Sequence, residues 1–249
     1  MNRLILKNFA YAALLCLFAS QPALAAVSLD RTRIVFSGQD KSVSLNISNQ
    51  NEQLPYLAQA WIENDKDEKI TGPLVVLPPL QRLEPSARSQ VKIQALPAAN
   101  QLPQDRETLF YFNLREVPPR SDQANSLQIA LQTRVKLFYR PQALSIPSGS
   151  STAPWQERIR LMRQGDQYTV DNPTPYYVTL IDAAKSAGGS SIANFEPLMI
   201  PPHSQAPLNI DAGSLGNTPV LTYINDYGGR PKLEFRCSGQ ECTAKQISN

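Results

Sequence analysis

Short runs in which apolar and polar residues alternate constrain the fold of this chain more than any other feature. In one of them, Val43, Leu45 and Ile47 are separated by single polar residues. Further runs of this kind are residues 91–95, 110–114 and 127–131. An alternation of period two places the two sets of side chains on opposite faces of a β-strand. Because turn-forming residues and many of the 21 prolines lie between the runs, the sequence predicts an all-β protein of antiparallel sandwiches or barrels.

The first 25 residues are predicted to be a cleaved export signal. Arg3 and Lys7 precede an apolar stretch, residues 10–19, which is too short to span a bilayer. The small residues Ala23 and Ala25 flank Leu24 in the pattern of a cleavage site. We therefore expect an exported chain that begins at Ala26.

The charge balance of the exported chain excludes some partners. Without the signal, 22 basic and 21 acidic residues remain. Proteins that bind nucleic acid usually carry a strongly basic face, so no nucleic-acid partner is expected. No later segment approaches the roughly 18 apolar residues that a membrane helix needs, so we expect no membrane insertion.

The chain is predicted to contain two domains, residues 26–143 and 144–249, after the signal at 1–25. The small, polar and proline-bearing stretch at residues 145–154 is typical of a linker or long loop. A length of about 110 residues for each part is common for a domain.

The two halves also resemble each other in sequence. Residues 83–93 align with residues 200–210, and Asn49 precedes a Pro-Tyr pair much as Asn172 does. Chance periodicity is an alternative explanation for each match, but two matches in the same order favour two sandwiches of one type.

Two cysteines remain after the signal, Cys237 and Cys242. In an oxidising compartment, this close spacing favours a disulfide that closes a hairpin. A zinc site is the alternative, but zinc needs about four ligands and the one histidine, His203, is distant in sequence. We therefore expect no metal.

No sequence pattern indicates catalysis or a cofactor. His203 follows two prolines in a polar turn, and no Gly-x-Ser-x-Gly motif accompanies it. Gly228 and Gly229 are not followed by a predicted helix, so they do not indicate a phosphate site. We expect a protein that is not an enzyme and has no cofactor, although a periplasmic hydrolase or a sugar-binding module remains an alternative.

Several long segments resemble one known family. They are residues 26–36, 54–63, 113–119, 127–141, 172–179 and 223–231. Over nearly the whole exported chain, the sequence closely resembles the periplasmic pilus chaperones. The resemblance implies two immunoglobulin-like β-sandwich domains set at an angle, with a cleft between them.

The resemblance also implies a function. Such a chaperone would bind, fold and cap pilus subunits by donor-strand complementation, and would deliver them to the outer-membrane usher. The short stretch between Pro119 and Leu127 resembles the branch of the family that serves adhesin-tipped pili, so a tip adhesin is an expected partner. A free chaperone could cover its own exposed strand by forming a homodimer. The alternative is a structural pilus or adhesin subunit, but residues 27–36 are interpreted as the first strand of a complete domain.

Five residues are assigned to subunit binding by this resemblance. Arg33 and Lys136 match the two cations that hold the C-terminal carboxylate of the pilus subunit. Leu127, Ile129 and Leu131 match the apolar row that fills the groove of the subunit. Without the resemblance, the cations could be ordinary surface residues and the row could line the protein's own core. Lys136 has the opposite parity to Leu131, which a bulge, a twist or the reach of the side chain must reconcile.

Three further residues match an interdomain ionic cluster in this family: Glu107, Arg140 and Asp226. The cluster would set the angle between the domains. The alternative is a set of ordinary surface ion pairs. The Leu77-Pro78 bond matches a position at which the family can have a cis peptide.

Overall fold

The computed structural model describes residues 25–121, 125–146 and 154–247. Almost the whole predicted export signal lies outside these residues and stays a prediction. Strands dominate the described part. They are β1 (Val27–Leu29), β2 (Arg33–Ser37), β3 (Ser42–Asn49), β4 (Tyr56–Glu63), β5 (Lys69–Ile70), β6 (Leu74–Leu77), β7 (Leu80–Leu83), β8 (Arg88–Ala95), β9 (Thr108–Val117), β10 (Gln132–Arg140), β11 (Arg160–Gln164), β12 (Gln167–Asn172), β13 (Val178–Ala184), β14 (Leu198–Ile200), β15 (Ser204–Asp211), β16 (Val220–Tyr223), β17 (Lys232–Ser238) and β18 (Glu241–Ile247). The helical elements are short: α1 (Ala212–Leu215) and 3-10 turns at Pro97–Gln101, Gln142–Leu144 and Trp155–Arg158.

The first half of the chain is a sandwich of two sheets. One sheet has the strand order β1-β3-β8-β6, and the other has the order β2-β10-β9-β4-β5, with β7 beside β4. The alternating side chains predicted from the sequence face inward: Leu45 in β3, Ile93 in β8 and Phe112 in β9 are completely buried in one core. Burial of this apolar row is what holds the two sheets together.

The N-terminal segment contributes a strand to each sheet. β1 pairs with β3, whereas β2 pairs in parallel with β10. Between them, Asp30 accepts hydrogen bonds from the backbone and the side chain of Asn46 and holds the crossing in place. The single first strand expected over residues 27–36 is therefore two strands, and Arg33 is the first residue of the second.

The second half forms one continuous eight-stranded sheet with its own core. The strand order is β14-β13-β16-β17-β18-β11-β12-β15. Leu180, Leu233 and Phe235 lie at the centre of this core, which shares no buried residue with the first. The sheet folds back on itself, so that its end strands β14 and β15 are in contact. The fold is all-β with two sandwich domains, as predicted, while the exact boundary at residues 143 and 144 stays a prediction.

The sequence similarity between the halves corresponds to one structural motif that occurs twice. The amide nitrogens of Asn49 and Asn172 each donate to three backbone carbonyls and tie two loops together. The acceptors are Leu54, Leu83 and Glu84 for Asn49, and Tyr176, Ile200 and Pro201 for Asn172. The aligned turn residues Ser86 and His203 both have positive φ, 57° and 51°. His203 is thus an exposed turn residue.

Two local predictions are confirmed. Cys237 and Cys242 form a disulfide across the β17–β18 hairpin, where they are directly opposite each other. The Leu77-Pro78 bond is cis, and so is the Gly72-Pro73 bond, which sequence analysis did not predict.

One predicted strand is absent. Residues 127–131 lie outside the strands, and β10 begins only at Gln132. The neighbouring strand β9 ends at Val117 because Pro118 and Pro119 have no N–H group to continue the ladder. The last bond of this pairing is donated by the Glu116 N–H to the Leu131 carbonyl, at 3.0 Å.

Candidate functional site

The predicted ionic cluster forms at the interface between the two domains. Arg140, near the end of the first domain, donates from Nε to Glu107 at 2.8 Å and from both terminal nitrogens to Asp226 at 2.7 and 3.0 Å. The second oxygen of Glu107 accepts the backbone N–H of Tyr177, also at 2.8 Å. Charge-assisted bonds of this kind are stronger than neutral ones. The structure therefore brings all three predicted residues together across the domain boundary.

Burial shapes the ionisation of this cluster. Burial opposes the charged form of Arg140, but its bonds to Asp226 and the attraction of Glu107 outweigh this and raise its pKa above the ordinary value. Burial raises the pKa of the Glu107 carboxyl, against the attraction of Arg140 and the bond from Tyr177. A buried ionic group of this type tolerates the loss of a partner poorly, because an uncompensated charge would remain.

The two predicted carboxylate-binding cations lie side by side. Arg33 and Lys136 are direct partners in the parallel pairing of β2 with β10. Val135 and Leu137 point into the core of the first domain, so Lys136 points to the opposite face. There its Nζ is 3.5 Å from the Thr179 hydroxyl of the second domain. The strand pairing of β9 and β10 has no register shift, so no bulge explains the opposite parity of Lys136 and Leu131.

Arg33 reaches the second domain too. Its Nη1 donates to the Ile224 carbonyl at 2.9 Å, and its guanidinium lies over the Phe138 ring at 5.7 Å. A cavity of about 810 Å³ at the domain interface borders Arg33 and also Arg140 and Asp226. The pair of cations consequently lies in the cleft between the domains.

Within the described ranges, these two cations have no ion-pair partner within 4.0 Å. Among the residues that the structure describes, neither Arg33 nor Lys136 forms an ion pair, and the buried Nε of Arg33 has no hydrogen-bond partner. Burial lowers the pKa of Arg33, although Asp226 and Glu107 partly offset this. Burial, and then repulsion from Arg33, lowers the pKa of Lys136. Two poorly solvated like charges favour the binding of an anion that accepts hydrogen bonds from both.

Beside these cations, β10 has an open edge, defined as residues 132–135 on the side of β2. On that side β2 pairs only with residues 136–140, because it begins at Arg33. On the other side, β9 pairs with β10 from Gln132 onward. Within the described ranges no strand occupies the open edge, so its backbone groups can pair with another chain.

The apolar row continues the open edge outward. Leu127, Ile129 and Leu131 expose 87%, 65% and 41% of their surface. The alternative that this row lines the protein's own core is therefore wrong. Apolar side chains so exposed on a chain next to an open strand edge indicate a surface that binds a partner.

Sequence reasoning missed the contributions of the second domain to the cleft. Thr179 and Ile224 contact Lys136 and Arg33 only because the domains pack together. Both lie in segments that resemble the family, but no sequence pattern assigned them to the cleft. Within the described ranges, no helix is long and apolar enough to cross a membrane, and no cluster of His, Cys, Asp or Glu could hold a metal ion.

Comparison with known proteins identifies the family. The family model for the N-terminal domain of the pili and flagellar-assembly chaperone PapD matches residues 26–145, and that for the C-terminal domain of the pili assembly chaperone PapD matches residues 154–235. Chaperone protein PapD of Escherichia coli is 53% identical over 92% of this chain and 94% of its own. The chain belongs to the PapD family of pilus chaperones.

Other relatives agree with this assignment. The probable fimbrial chaperone YfcS of Escherichia coli K12 is 51% identical, over 92% of this chain and 90% of its own length. A solved structure of the Salmonella enterica SafA pilin in complex with the SafB chaperone contains a chain that matches with a TM-score of 0.66 and 27% identity, over 84% of this chain and 95% of that chain. These similarities favour a chaperone over the alternative of a structural pilus subunit.

Proposed function

We propose that this chaperone works in the periplasm, where it binds, folds and caps pilus subunits, a tip adhesin among them, and delivers them to an outer-membrane usher. Support comes from its relatives, which include fimbrial chaperones and a chaperone bound to a pilin. The predicted export signal is consistent with the location.

The first element of the proposed mechanism is an anchor for the end of the subunit. Arg33 and Lys136 are adjacent and partly desolvated, and neither forms an ion pair among the described residues. A terminal carboxylate is a compact anion that accepts several hydrogen bonds, so it suits both cations at once. We infer that the C-terminal carboxylate of the subunit binds here.

The second element is strand pairing along the open edge. β2 runs parallel to β10 and begins at Arg33. A subunit strand that continues the line of β2, and ends with its carboxylate at Arg33, must then run parallel to β10. Main-chain hydrogen bonds would supply affinity in this arrangement with little dependence on the sequence of the subunit.

The third element is the exposed apolar row. Leu127, Ile129 and Leu131 have the same parity, so their side chains share one face once the segment is extended. In the bound state they would fill a groove in a subunit that lacks one of its own strands. Pairing with the subunit would also complete the strand that the free chain does not form in this segment.

The ionic cluster has a supporting role in this proposal. Arg140 links Glu107 of the first domain with Asp226 of the second. We infer that it sets the angle between the domains and therefore holds Thr179 and Ile224 against the two cations. Release would occur when the extension of the next subunit replaces the chaperone strand in the groove, so the mechanism needs no bond chemistry and no nucleotide.

One observation carries this proposal: two cations without an ion-pair partner among the described residues lie where an open strand edge begins, and the exposed apolar row extends that edge. The test is periplasmic co-expression with subunits encoded beside the chaperone, followed by co-purification. Arg33→Ala and Lys136→Ala should abolish subunit recovery while the chaperone remains folded. The matched controls are Arg88→Ala and Lys92→Ala, both exposed on β8. Subunit recovery at the wild-type level in both cleft variants would exclude the proposal.

The free protein offers a second test. Because the apolar row that contains Ile129 is exposed, we expect it to pair with another copy of the chain when no subunit is present. Size-exclusion chromatography should then show a dimer that Ile129→Asp converts to a monomer. An unchanged monomer in both proteins would contradict the self-capping homodimer.

A further inference from the structure

Glu116 is a buried acid to which the proposed mechanism gives no role. The residue exposes 5% of its surface in β9. One of its carboxylate oxygens accepts the backbone N–H of Val27 at 2.8 Å. Within the described part of the chain, no cation lies within ion-pair distance of it. A buried carboxylate that is bonded to a neutral donor and lacks a counter-charge is energetically unfavourable. A positive group beside it would stabilise it.

One group close to Glu116 that can become positive is the nitrogen of Ala26, the residue before Val27. Val27 is fixed opposite Asn49 at the start of β1, and the Ala26 carbonyl accepts the Gln50 N–H at 2.6 Å. The nitrogens of Ala26 and Val27 are separated by three covalent bonds, at most about 3.7 Å. The Ala26 nitrogen therefore lies at most about 6.5 Å from this Glu116 oxygen, the sum of the two distances.

That nitrogen changes its chemistry when the export signal is removed. Hydrolysis of the Ala25–Ala26 peptide bond, by the peptidase that removes such signals, consumes one water. It leaves a carboxylate on Ala25 and an ammonium group on Ala26. In the precursor the same nitrogen is a neutral amide, which donates only one hydrogen bond.

We propose that Glu116 is a binding site for the α-ammonium group of the mature N-terminus. Signal cleavage then supplies the missing counter-charge, and the first domain reaches its full stability only after export. This inference depends on the predicted cleavage after Ala25 and is independent of subunit binding.

A thermodynamic cycle tests the proposal. Four full-length mature proteins are compared by urea unfolding: Glu116 or Glu116→Gln, each beginning at Ala26 or at a Gly-Ser-Gly-Ser extension placed before Ala26. In the Glu116 protein, the extension should lower the folding equilibrium constant about tenfold, as for loss of a charge-assisted hydrogen bond. In the Glu116→Gln protein, the same extension should lower it less than twofold.

The control and the direct measurement follow from the same design. Glu52→Gln, an exposed acid of the same domain, should respond to the extension as the wild type does. If Glu116→Gln fails to fold, a crystal structure of the exported protein decides the matter. It should begin at Ala26, with the α-nitrogen about 3 Å from a Glu116 oxygen. A different first residue, a separation above about 4 Å, or an equal effect of the extension in both proteins would overturn the proposal.

Discussion

Arg140 and Lys136 lie on one strand, four residues apart, at the interface of the two domains. Arg140 has both acids of the ionic cluster as partners, through bonds of 2.7 to 3.0 Å. Lys136 has the 3.5 Å contact with Thr179 and a like charge beside it. Arg140 is buried and Lys136 is partly buried, so both side chains have lost contact with solvent.

The two side chains differ in whether the fold places acidic partners within ion-pair distance. A cation whose counter-charges are part of the fold stabilises that fold. Its removal leaves the acids without a partner. A cation without built-in counter-charges costs stability, and this cost is recovered only when an anion binds. Arg140 thus belongs to the framework, whereas we assign Lys136 and Arg33 to the proposed binding surface.

The largest expected effect is on the stability of the framework. Arg140→Ala leaves Glu107 buried, with 2% of its side chain exposed. The free energy of unfolding should fall by about 3–5 kcal/mol, measured by urea denaturation. Arg160→Ala removes an exposed pair with Glu241 and should cost about 0–1 kcal/mol. Equal losses in the two variants would show that the interdomain cluster is an ordinary surface feature.

Lys136→Met should separate binding from stability. Affinity for a peptide with the C-terminal sequence of a subunit should fall by about 2 kcal/mol or more, roughly 30-fold. The free energy of unfolding should stay the same or rise by up to about 1 kcal/mol, because an uncompensated charge is removed. Calorimetric titration and urea unfolding measure the two. A clear loss of stability would place Lys136 in the framework with Arg140.

Asp226→Asn should have an intermediate effect on stability. Asp226 is 29% exposed on its side chain, and Asn retains one oxygen that Arg140 can bond. A loss of about 1 kcal/mol is expected, which lowers the melting temperature by about 2–4 °C in a protein of this size. Asp40→Asn, at an exposed position, should leave the melting temperature unchanged. A drop as large as that of Arg140→Ala would mean that Asp226 dominates the cluster.

The smallest expected effect concerns pH. Burial and Arg33 lower the pKa of Lys136 below 10.5. Below this lowered pKa the amine is charged and binds the carboxylate; affinity should then fall several-fold as pH rises through it, before 10.5 is reached. Lys136→Arg keeps its charge throughout, so its affinity should stay constant over the same rise in pH. A parallel decline in the Arg variant would assign the effect to another group.

Much of the fold could be predicted from local sequence. Alternation located the buried rows of β3, β8 and β9 because one face of each strand is in contact with the core. The two cysteines predicted their own disulfide because their spacing fits a hairpin. The similarity of Asn49 to Asn172 predicted a repeated sandwich, since the same loop connection needs the same amide in both domains.

The candidate site was less accessible from sequence. Leu127, Ile129 and Leu131 alternate just as core residues do, so alternation could not say that they are exposed. Their location depends on where β9 stops, which Pro118 and Pro119 determine. The compensation of Arg140 and the absence of it at Arg33 depend on how the domains pack. The match to a known family supplied these residues when the pattern of the sequence could not.

The start of β2 at Arg33 has a consequence for the choice of cargo. In the proposed mechanism, a subunit strand that fills the open edge would be aligned from its last residue, because its carboxylate would meet the two cations at a fixed position. A site of this kind would fix the register of the bound strand from its C-terminal end. Its binding would depend little on the side chains along that strand. One chaperone could then serve subunits of quite different sequence, provided that each ends at the same distance from its unfilled groove.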